Sequence, residues 1–307
     1  MDKLDSNLLF EIANLKAPPA AGAFNIRKNG GLEGRANTEH IEIVTKPDKP
    51  GIDIRIKPFT KGESVHIPVI LTQSGLNDLV YNDFYVGDYA DVDIIAGCGI
   101  HNDGHAKSQH DGIHTFHVGK HARVRYVEKH YGEGSGDGER VLNPQTVVYL
   151  AEGASITLDM VQIRGVDSTK RYTKVVAEGD GSECIVNEKL LTDGAQTAES
   201  RMEVILNGVD AKTQVVSRSV AQDQSVQVFY PQVEGNAKCF GHVQCDSIIM
   251  DRARVSSIPA IVANDMDAQL IHEAAIGRIA GDQILKLMTL GLTEEEAEQK
   301  ILDGFLQ

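Results

Sequence analysis

The segment that spans residues 239–250, CFGHVQCDSIIM, concentrates side chains that could bind a metal. Cys239 and Cys245 stand six positions apart, His242 lies between them, and Asp246 follows the second cysteine directly. Thiolate, imidazole and carboxylate groups are all common ligands of transition metals. The simpler alternative is that both thiols are small apolar residues of a buried strand, because free cysteine is among the most often buried residue types.

A second stretch, residues 98–121, is rich in histidine and also contains a cysteine. Its candidate ligands are Cys98, His101, His105, His110, His114, His117 and His121. Imidazole suits iron, zinc and copper, but these spacings match no zinc or calcium pattern. On a strand, His114 and His117 would face opposite sides. Two interpretations stay open: an exposed polar loop and strand, or an iron site. The glycines on either side of Cys98 predict that its thiol is the more exposed one.

Composition and missing motifs exclude several classes of function. The net charge of −14 argues against nucleic acid as the main partner, because a phosphate backbone needs an excess of Lys and Arg. No apolar run is long enough to span a bilayer, and the acidic start lacks the features of a signal peptide. The four cysteines are too few for a disulfide framework. We therefore expect a cytoplasmic protein without a membrane partner. The sequence has no G-x-x-x-x-G-K-S/T loop, so ATP hydrolysis by this chain is not expected.

One pattern recurs along most of the chain: a turn that ends in a small residue, followed by a segment with apolar residues at every second position. The aligned small residues that end these turns are Ala90, Ala122, Ala154, Ser182, Ala211, Ala237 and Ala268, at intervals of 26–32 residues. Period-2 alternation after such turns predicts β-strands. A repeat of this length has room for one coil of a parallel β-helix, whereas propeller blades usually run longer. We therefore predict an all-β core in the form of a parallel β-helix.

The repeat also predicts which side chains face the interior. Two places after each aligned small residue lies an apolar column that includes Cys184 and Cys239, so both are predicted to be packing residues. Four places after the last small residue, the inward position is occupied by His272. A buried histidine must find a partner or bind something, because an unpaired buried polar group costs about 1–3 kcal/mol.

Two segments flank the repeats. Residues 1–38 are predicted to form an appendage and linker, with a short amphipathic helix in NLLFEIANL, and residues 39–275 form the β-helix. Residues 276–307 have helical spacing. In this last segment Gly291 fits the end of one helix, and Thr293 with Glu296 forms a capping box that opens another. Such helices could cap the solenoid or dock a partner.

Several segments, taken together, resemble the SufB/SufD family of iron–sulfur cluster assembly proteins. They are GHVQCDSIIM, AQLIHEAAIGRIAGDQILKLMTLGLTEEEAEQKILDGFL, YVEKHYGEG and VQIRGVDSTKRYT. The resemblance is close over the last 75 or so residues and looser through residues 80–230, and it points to a short SufB-like form of the archaeal and anaerobe type. It implies a right-handed parallel β-helix with a C-terminal helical part.

The resemblance also implies a site. Cys245 matches the cysteine that the SufB branch keeps, and His272 with Glu273 matches a segment implicated in cluster assembly. SufB often has an acidic residue at the place of Ile271, so one ligand of that pattern is missing here. The implied cargo is an iron–sulfur cluster, of 4Fe–4S type, held where two subunits meet. Weaker candidate ligands, taken from the histidine-rich stretch and not from the resemblance, are Cys98, His114 and His117.

The partners implied by the resemblance are a SufC-like ABC ATPase, a second copy of the chain and iron–sulfur acceptor proteins. The ATPase would dock on the C-terminal helical segment. The residues expected to contact it are Arg278, Asp282, Gln283, Leu287 and Met288. Three functions are therefore compared: a non-enzymatic SufB-like scaffold, a SufD-like stabilising subunit without its own cluster, and a β-helix enzyme acting on carbohydrate.

Overall fold

The computed structural model describes residues 2–19 and 21–306, without the side chain of residue 163, and shows a parallel β-solenoid of about eight turns followed by two short helices. Each turn, here called a coil, gives one strand or strand pair to each of two sheets. The predicted parallel β-helix with a C-terminal helical segment is thus confirmed.

The two sheets face each other across the core. Sheet A has the spatial order β2 (Gly31–Ala36), β1 (Ala23–Lys28), β5 (Lys61–Leu71), β7 (Asp91–His101), β9 (Arg123–Glu133), β12 (Ser155–Arg164), β14 (Glu183–Thr192), β16 (Lys212–Ala221), β18 (Phe240–Ile249) and β21 (Gln269–Gly277). Sheet B has the order β19 (Arg254–Ser257), β17 (Val226–Gly235), β15 (Thr197–Leu206), β13 (Ser168–Ala177), β10 (Arg140–Leu142), β8 (Ser108–Val118), β6 (Asn77–Val86), β4 (Gly51–Ile56) and β3 (Ile41–Thr45). Strand β11 (Gln145–Leu150) pairs with β8 and β13, and β20 (Ala260–Ala263) pairs with β17. Antiparallel pairs β1–β2 and β3–β4 close the N-terminal end.

The small residues at the turns are buried where the chain passes from sheet B to sheet A. Ala90, Ala122 and Ala154 are fully buried, as the repeat predicts. One alignment was wrong: Phe240 pairs with Lys212, so Cys239 rather than Ala237 occupies the place equivalent to Ala211. With Cys239 at this place, the coils before and after it have nearly equal lengths. Ala237 is also a small residue, so the sequence alignment placed the end of the turn two residues too early. Cys239 is nevertheless buried, in agreement with its predicted packing role.

The N-terminal helix α1 (Lys3–Ala13) lies on the outer face of sheet A, with Leu8 and Ile12 buried. It packs over Gly97, where an added Cβ would come within 2.9 Å of the Ile12 Cβ atom. Cys98 between the two glycines points to the interior and is only 2% exposed. The expectation of an exposed thiol was therefore wrong, because the glycines make room for a helix. Residues 23–36, assigned above to the appendage, form β1 and β2 of sheet A.

Two helices follow the last coil and pack on each other. They are α2 (Gly281–Met288) and α3 (Glu294–Phe305). The side chain of Thr293 accepts from the backbone of Glu296, and the side chain of Glu296 accepts from the backbone of Thr293, which confirms the predicted capping box. Within the described chain, no helix has the length and apolar character needed to cross a membrane.

Candidate functional site

Cys245 and His272 meet inside the last coils of the solenoid. Cys245 lies on β18 and His272 on the neighbouring parallel strand β21, and the Sγ and Nε2 atoms are 3.5 Å apart. Successive side chains of a strand point to opposite faces of the sheet, and the positions of Cys245 and His272 are both on the inner face of sheet A. Cys245 is 3% exposed, whereas His272 is partly exposed at the end of the sheet. The pair offers one sulfur and one nitrogen ligand.

Burial governs the protonation of this pair. It raises the pKa of Cys245 to about 12, and the nearby negative charge of Glu188 acts in the same direction. Burial also lowers the pKa of His272, with a further contribution from His242. The thiol is therefore protonated and the imidazole neutral near pH 7. A thiol must lose its proton to bind a metal, so metal binding at Cys245 releases a proton.

Glu273 lies on the other side of β21. Side chains alternate along a strand, and the Glu273 carboxylate is 65% exposed on the outer face. Its Oε2 atom is 3.6 Å from Nε2 of His242, which also faces outward. The three residues expected to act together are thus divided into an inner pair, Cys245 with His272, and an outer pair, His242 with Glu273.

Cys245 stands in an interior column that also contains buried charges. The register across sheet A aligns, in order, Ala96, Glu128, Met160, Glu188, Ser217, Cys245 and Ala274. Ser217 donates to Glu188 at 2.9 Å. Arg171, from the opposite sheet, lies 2.5 Å from an oxygen of Glu128 and 3.6 Å from one of Glu188. Apart from Met160, the interior column is therefore polar from Glu128 to the Cys245 thiol.

These buried charges were not predicted from the sequence. The signal was present, because Glu128 follows the inward residues Val124 and Tyr126 at the same period of two. Burial of Arg171 and Glu128 is tolerated because they form an ion pair with further hydrogen bonds. Burial alone would raise the pKa of Glu128. The electrostatic attraction of its carboxylate to His130 and Arg171 instead holds this pKa at about 2.

The histidine-rich stretch does not form one site. His114 faces inward, shares a hydrogen bond of 2.6 Å with the Tyr126 hydroxyl, and has its pKa lowered to about 4 by burial. His117 faces outward and stacks between Tyr85 and Tyr149 at ring distances of 5.1 and 5.5 Å. The predicted opposite orientation is therefore confirmed.

Cys98, the third weaker candidate, packs in an apolar cluster with Val69 and Ile100. Across residues 2–19 and 21–306, no three His, Cys, Asp or Glu side chains are arranged to hold a metal ion.

The end of the solenoid and the C-terminal helices expose apolar side chains. On the last coil, Ile258, Ile261, Ile271 and Ile276 are 41–52% exposed. Among the residues expected to contact a partner, Arg278, Asp282, Gln283 and Met288 are exposed and Leu287 is partly buried. Leu285 and Leu290, which that expectation omitted, are more exposed than Met288.

Comparison with protein-family models places residues 80–305 in one family, described as SUF system FeS cluster assembly, SufBD core domain. The chain belongs to the SufBD core family. The resemblance noted in the sequence is thereby confirmed, and this SufBD chain has a role in iron–sulfur cluster assembly within the SUF system.

Similar proteins occur in archaea and in plants. An iron-sulfur cluster assembly SufBD family protein of Archaeoglobus fulgidus is 26% identical over 274 residues, which is 88% of this chain and 71% of the relative. One of Methanocaldococcus jannaschii is 26% identical over 243 residues, covering 79% and 76%. A chloroplastic SufBD family protein of Arabidopsis thaliana is 27% identical over 204 residues, covering 64% and 36%.

Proposed function

We propose that this SufBD chain is a SufB-like scaffold that holds a nascent iron–sulfur cluster and does not itself catalyse a reaction. The observation that carries the proposal is the inward-facing pair of Cys245 and His272, 3.5 Å apart and next to the open end of the solenoid. Thiolate is the usual ligand of such clusters, and mixed ligation with imidazole holds them less tightly. That suits a protein whose cargo must be passed to acceptor proteins.

The cluster is proposed to lie between two copies of the chain. One Cys245–His272 pair supplies two ligands, so two copies supply the four that a 4Fe–4S cluster uses. The free edge of β21 and the exposed Ile258, Ile261 and Ile276 support a contact at this end, because free edges and apolar patches are typical of association surfaces. Glu273 faces outward, away from the Cys245–His272 pair, and is proposed only as an additional ligand.

A SufC-like ABC ATPase is the proposed partner of the C-terminal helices. Leu285, Met288 and Leu290 present an apolar surface on and after α2, which a partner would bury. The ATPase would supply ATP hydrolysis.

Anaerobic reconstitution with iron and sulfide, followed by Mössbauer spectroscopy, tests the scaffold. The wild type, Cys245→Ala and Cys184→Ala are compared, with and without the ATPase. Cys184 is the matched control because it is an equally buried thiol on the same sheet, away from His272. We expect a cluster in the wild type and in Cys184→Ala and at least a tenfold lower occupancy in Cys245→Ala.

Equal occupancy in all three proteins, or no cluster in any, would contradict the scaffold role. The second candidate, a SufD-like stabilising subunit, would then be favoured if the chain still binds the ATPase.

A further inference from the structure

The outer face of sheet A contains a groove that the proposed scaffold does not use. It crosses the four neighbouring strands β9, β12, β14 and β16 and has a volume of about 480 Å³. Its floor includes Val127, Val161 and Val216, which face outward and are only partly buried. Asp159 and Asn187 also line it and stand in register between Val127 and Val216. Apolar side chains on the outer side of a sheet indicate a surface that another element covers.

Cationic side chains line one side of this floor, because Lys129, Lys189 and Arg218 lie in register with Val161 across the four strands. Lys189 and Arg218 are on adjacent strands, and Arg125 also lines the groove. Arg125 is paired with Asp159, whereas Arg218 makes no hydrogen bond or ion pair with the described part of the chain. On a chain with a net charge of −14, such a cluster marks the place where a negatively charged surface can approach without repulsion.

The same face of the sheet already binds a helix. Helix α1 covers the part of sheet A next to the groove, where Leu8 and Ile12 pack on Gly97 and Gly99. The helix ends beside the groove, since the Asn14 side chain lies 3.4 Å from Nζ of Lys129. Helices pack on the faces of sheets, whereas an added strand needs a free edge. The strands under the groove are all paired on both sides, so a helix fits this surface and a strand does not.

We propose that the groove binds an amphipathic helix of a partner protein, with apolar residues over the three valines and carboxylates against the row of Lys129, Lys189 and Arg218. The outer strands β9 and β16 are about 14 Å apart at the usual strand spacing. A helix of ten residues is about 15 Å long and therefore matches the groove. The partner helix would continue the helical layer that α1 begins. This proposal does not depend on the scaffold role of Cys245.

The experiment measures binding of a synthetic helical peptide to the full chain by fluorescence anisotropy. The probe is a 14-residue fluorescein-labelled helix with leucines on one face and glutamates on both flanks, and the second probe has lysines in place of the glutamates. The chain variants are Lys189→Glu with Arg218→Glu, and a matched control, Lys170→Glu with Lys212→Glu, which reverses two exposed charges outside the groove.

We expect the acidic peptide to bind the wild type and the control with equal Kd and to bind the groove variant at least tenfold more weakly. The lysine peptide should bind only the groove variant. A milder variant, Lys189→Gln with Arg218→Gln, should lose affinity by a smaller factor and guards against misfolding. Equal binding to groove and control variants, or no binding to the wild type, would overturn the proposal. Cys245→Ala should bind the peptide as the wild type does.

Discussion

The Sγ atom of Cys245 and the Nε2 atom of His272 lie 3.5 Å apart, although 27 positions separate the two residues in the chain. One coil of the solenoid explains this distance, because each coil returns the chain to the same sheet one strand further along. The contact is therefore a property of the coil length. A shift of one residue in the register of β21 against β18 would turn His272 to the outer face.

The Cys245 thiol is expected to react slowly with alkylating reagents. Burial raises its pKa to about 12, so at pH 8 only about one thiol in ten thousand is ionised, and the thiolate is the reactive form. Iodoacetamide labelling of the native chain, followed by mass spectrometry, should be at least a hundredfold slower than labelling in urea, and should accelerate as the pH rises. Native labelling at the rate of the urea-unfolded chain would show that Cys245 is accessible.

Replacement of Arg171 by methionine is expected to destabilise the fold strongly. The change leaves Glu128 and Glu188 in the interior without their cation, and breaking a buried ion pair in this way typically costs about 3–5 kcal/mol. Urea unfolding measures the loss. The matched control is Arg125→Met, which breaks the exposed pair with Asp159 and should cost at most about 1 kcal/mol. Similar losses in the two variants would argue against the buried network.

The free energy of unfolding should fall as the pH drops from 7 to 5. Burial lowers the pKa of His114 and of His130 to about 4, so both remain neutral in the folded chain but take up protons when it unfolds. The unfolded state then binds more protons, and stability falls by about 2 kcal/mol for each histidine over this range. Glu128 contributes little here, since its pKa of about 2 and the ordinary carboxyl value both lie below pH 5.

Urea unfolding at several pH values tests this dependence. The double variant His114→Gln with His130→Gln should have a flatter pH profile, whereas His117→Gln, in which an exposed ring is changed, should keep the slope of the wild type. A steep profile in the double variant would assign the pH dependence to other groups.

Substitution of Gly97 by alanine is expected to displace α1. The added methyl group would lie 2.7 Å from the carbonyl oxygen of Lys129 and 2.9 Å from Ile12, closer than van der Waals contact allows. Overpacking of this kind costs about 1–3 kcal/mol, and trypsin should cleave after Lys16 several times faster. Gly277→Ala is the control, because nothing lies within 4 Å of its added methyl group. Unchanged cleavage in Gly97→Ala would show that α1 accommodates the methyl group.

Binding of the proposed ATPase should depend on the apolar surface formed by Leu285, Met288 and Leu290. Leu285→Ser with Leu290→Ser removes side chains that are 62% and 75% exposed, so the chain should keep its stability while co-purification with a SufC-like ATPase is lost. Leu32→Ser, at the opposite end of the solenoid and 56% exposed, should retain the ATPase. Retention by the double variant would place the docking surface elsewhere.

Much of the fold followed from local pattern. Period-2 alternation after small turns predicted the coils and the inward direction of Cys184 and His272, because a strand in a solenoid must bury every second side chain. The capping box at Thr293 was equally local. The alternation also implied that Glu273 faces away from His272, a consequence that the sequence interpretation did not draw.

The sequence by itself determined the coils and their inward faces, but only the tertiary structure decided which side chains meet. Inward direction is a property of one strand, whereas contact depends on the register between strands, and the misplaced turn at Cys239 shows how two residues of error move a side chain along its column. The docking of α1 on Gly97 and the bridging of Glu128 by Arg171 join segments far apart in the chain. No local periodicity encodes such contacts, because they arise when separate coils and the helix pack together.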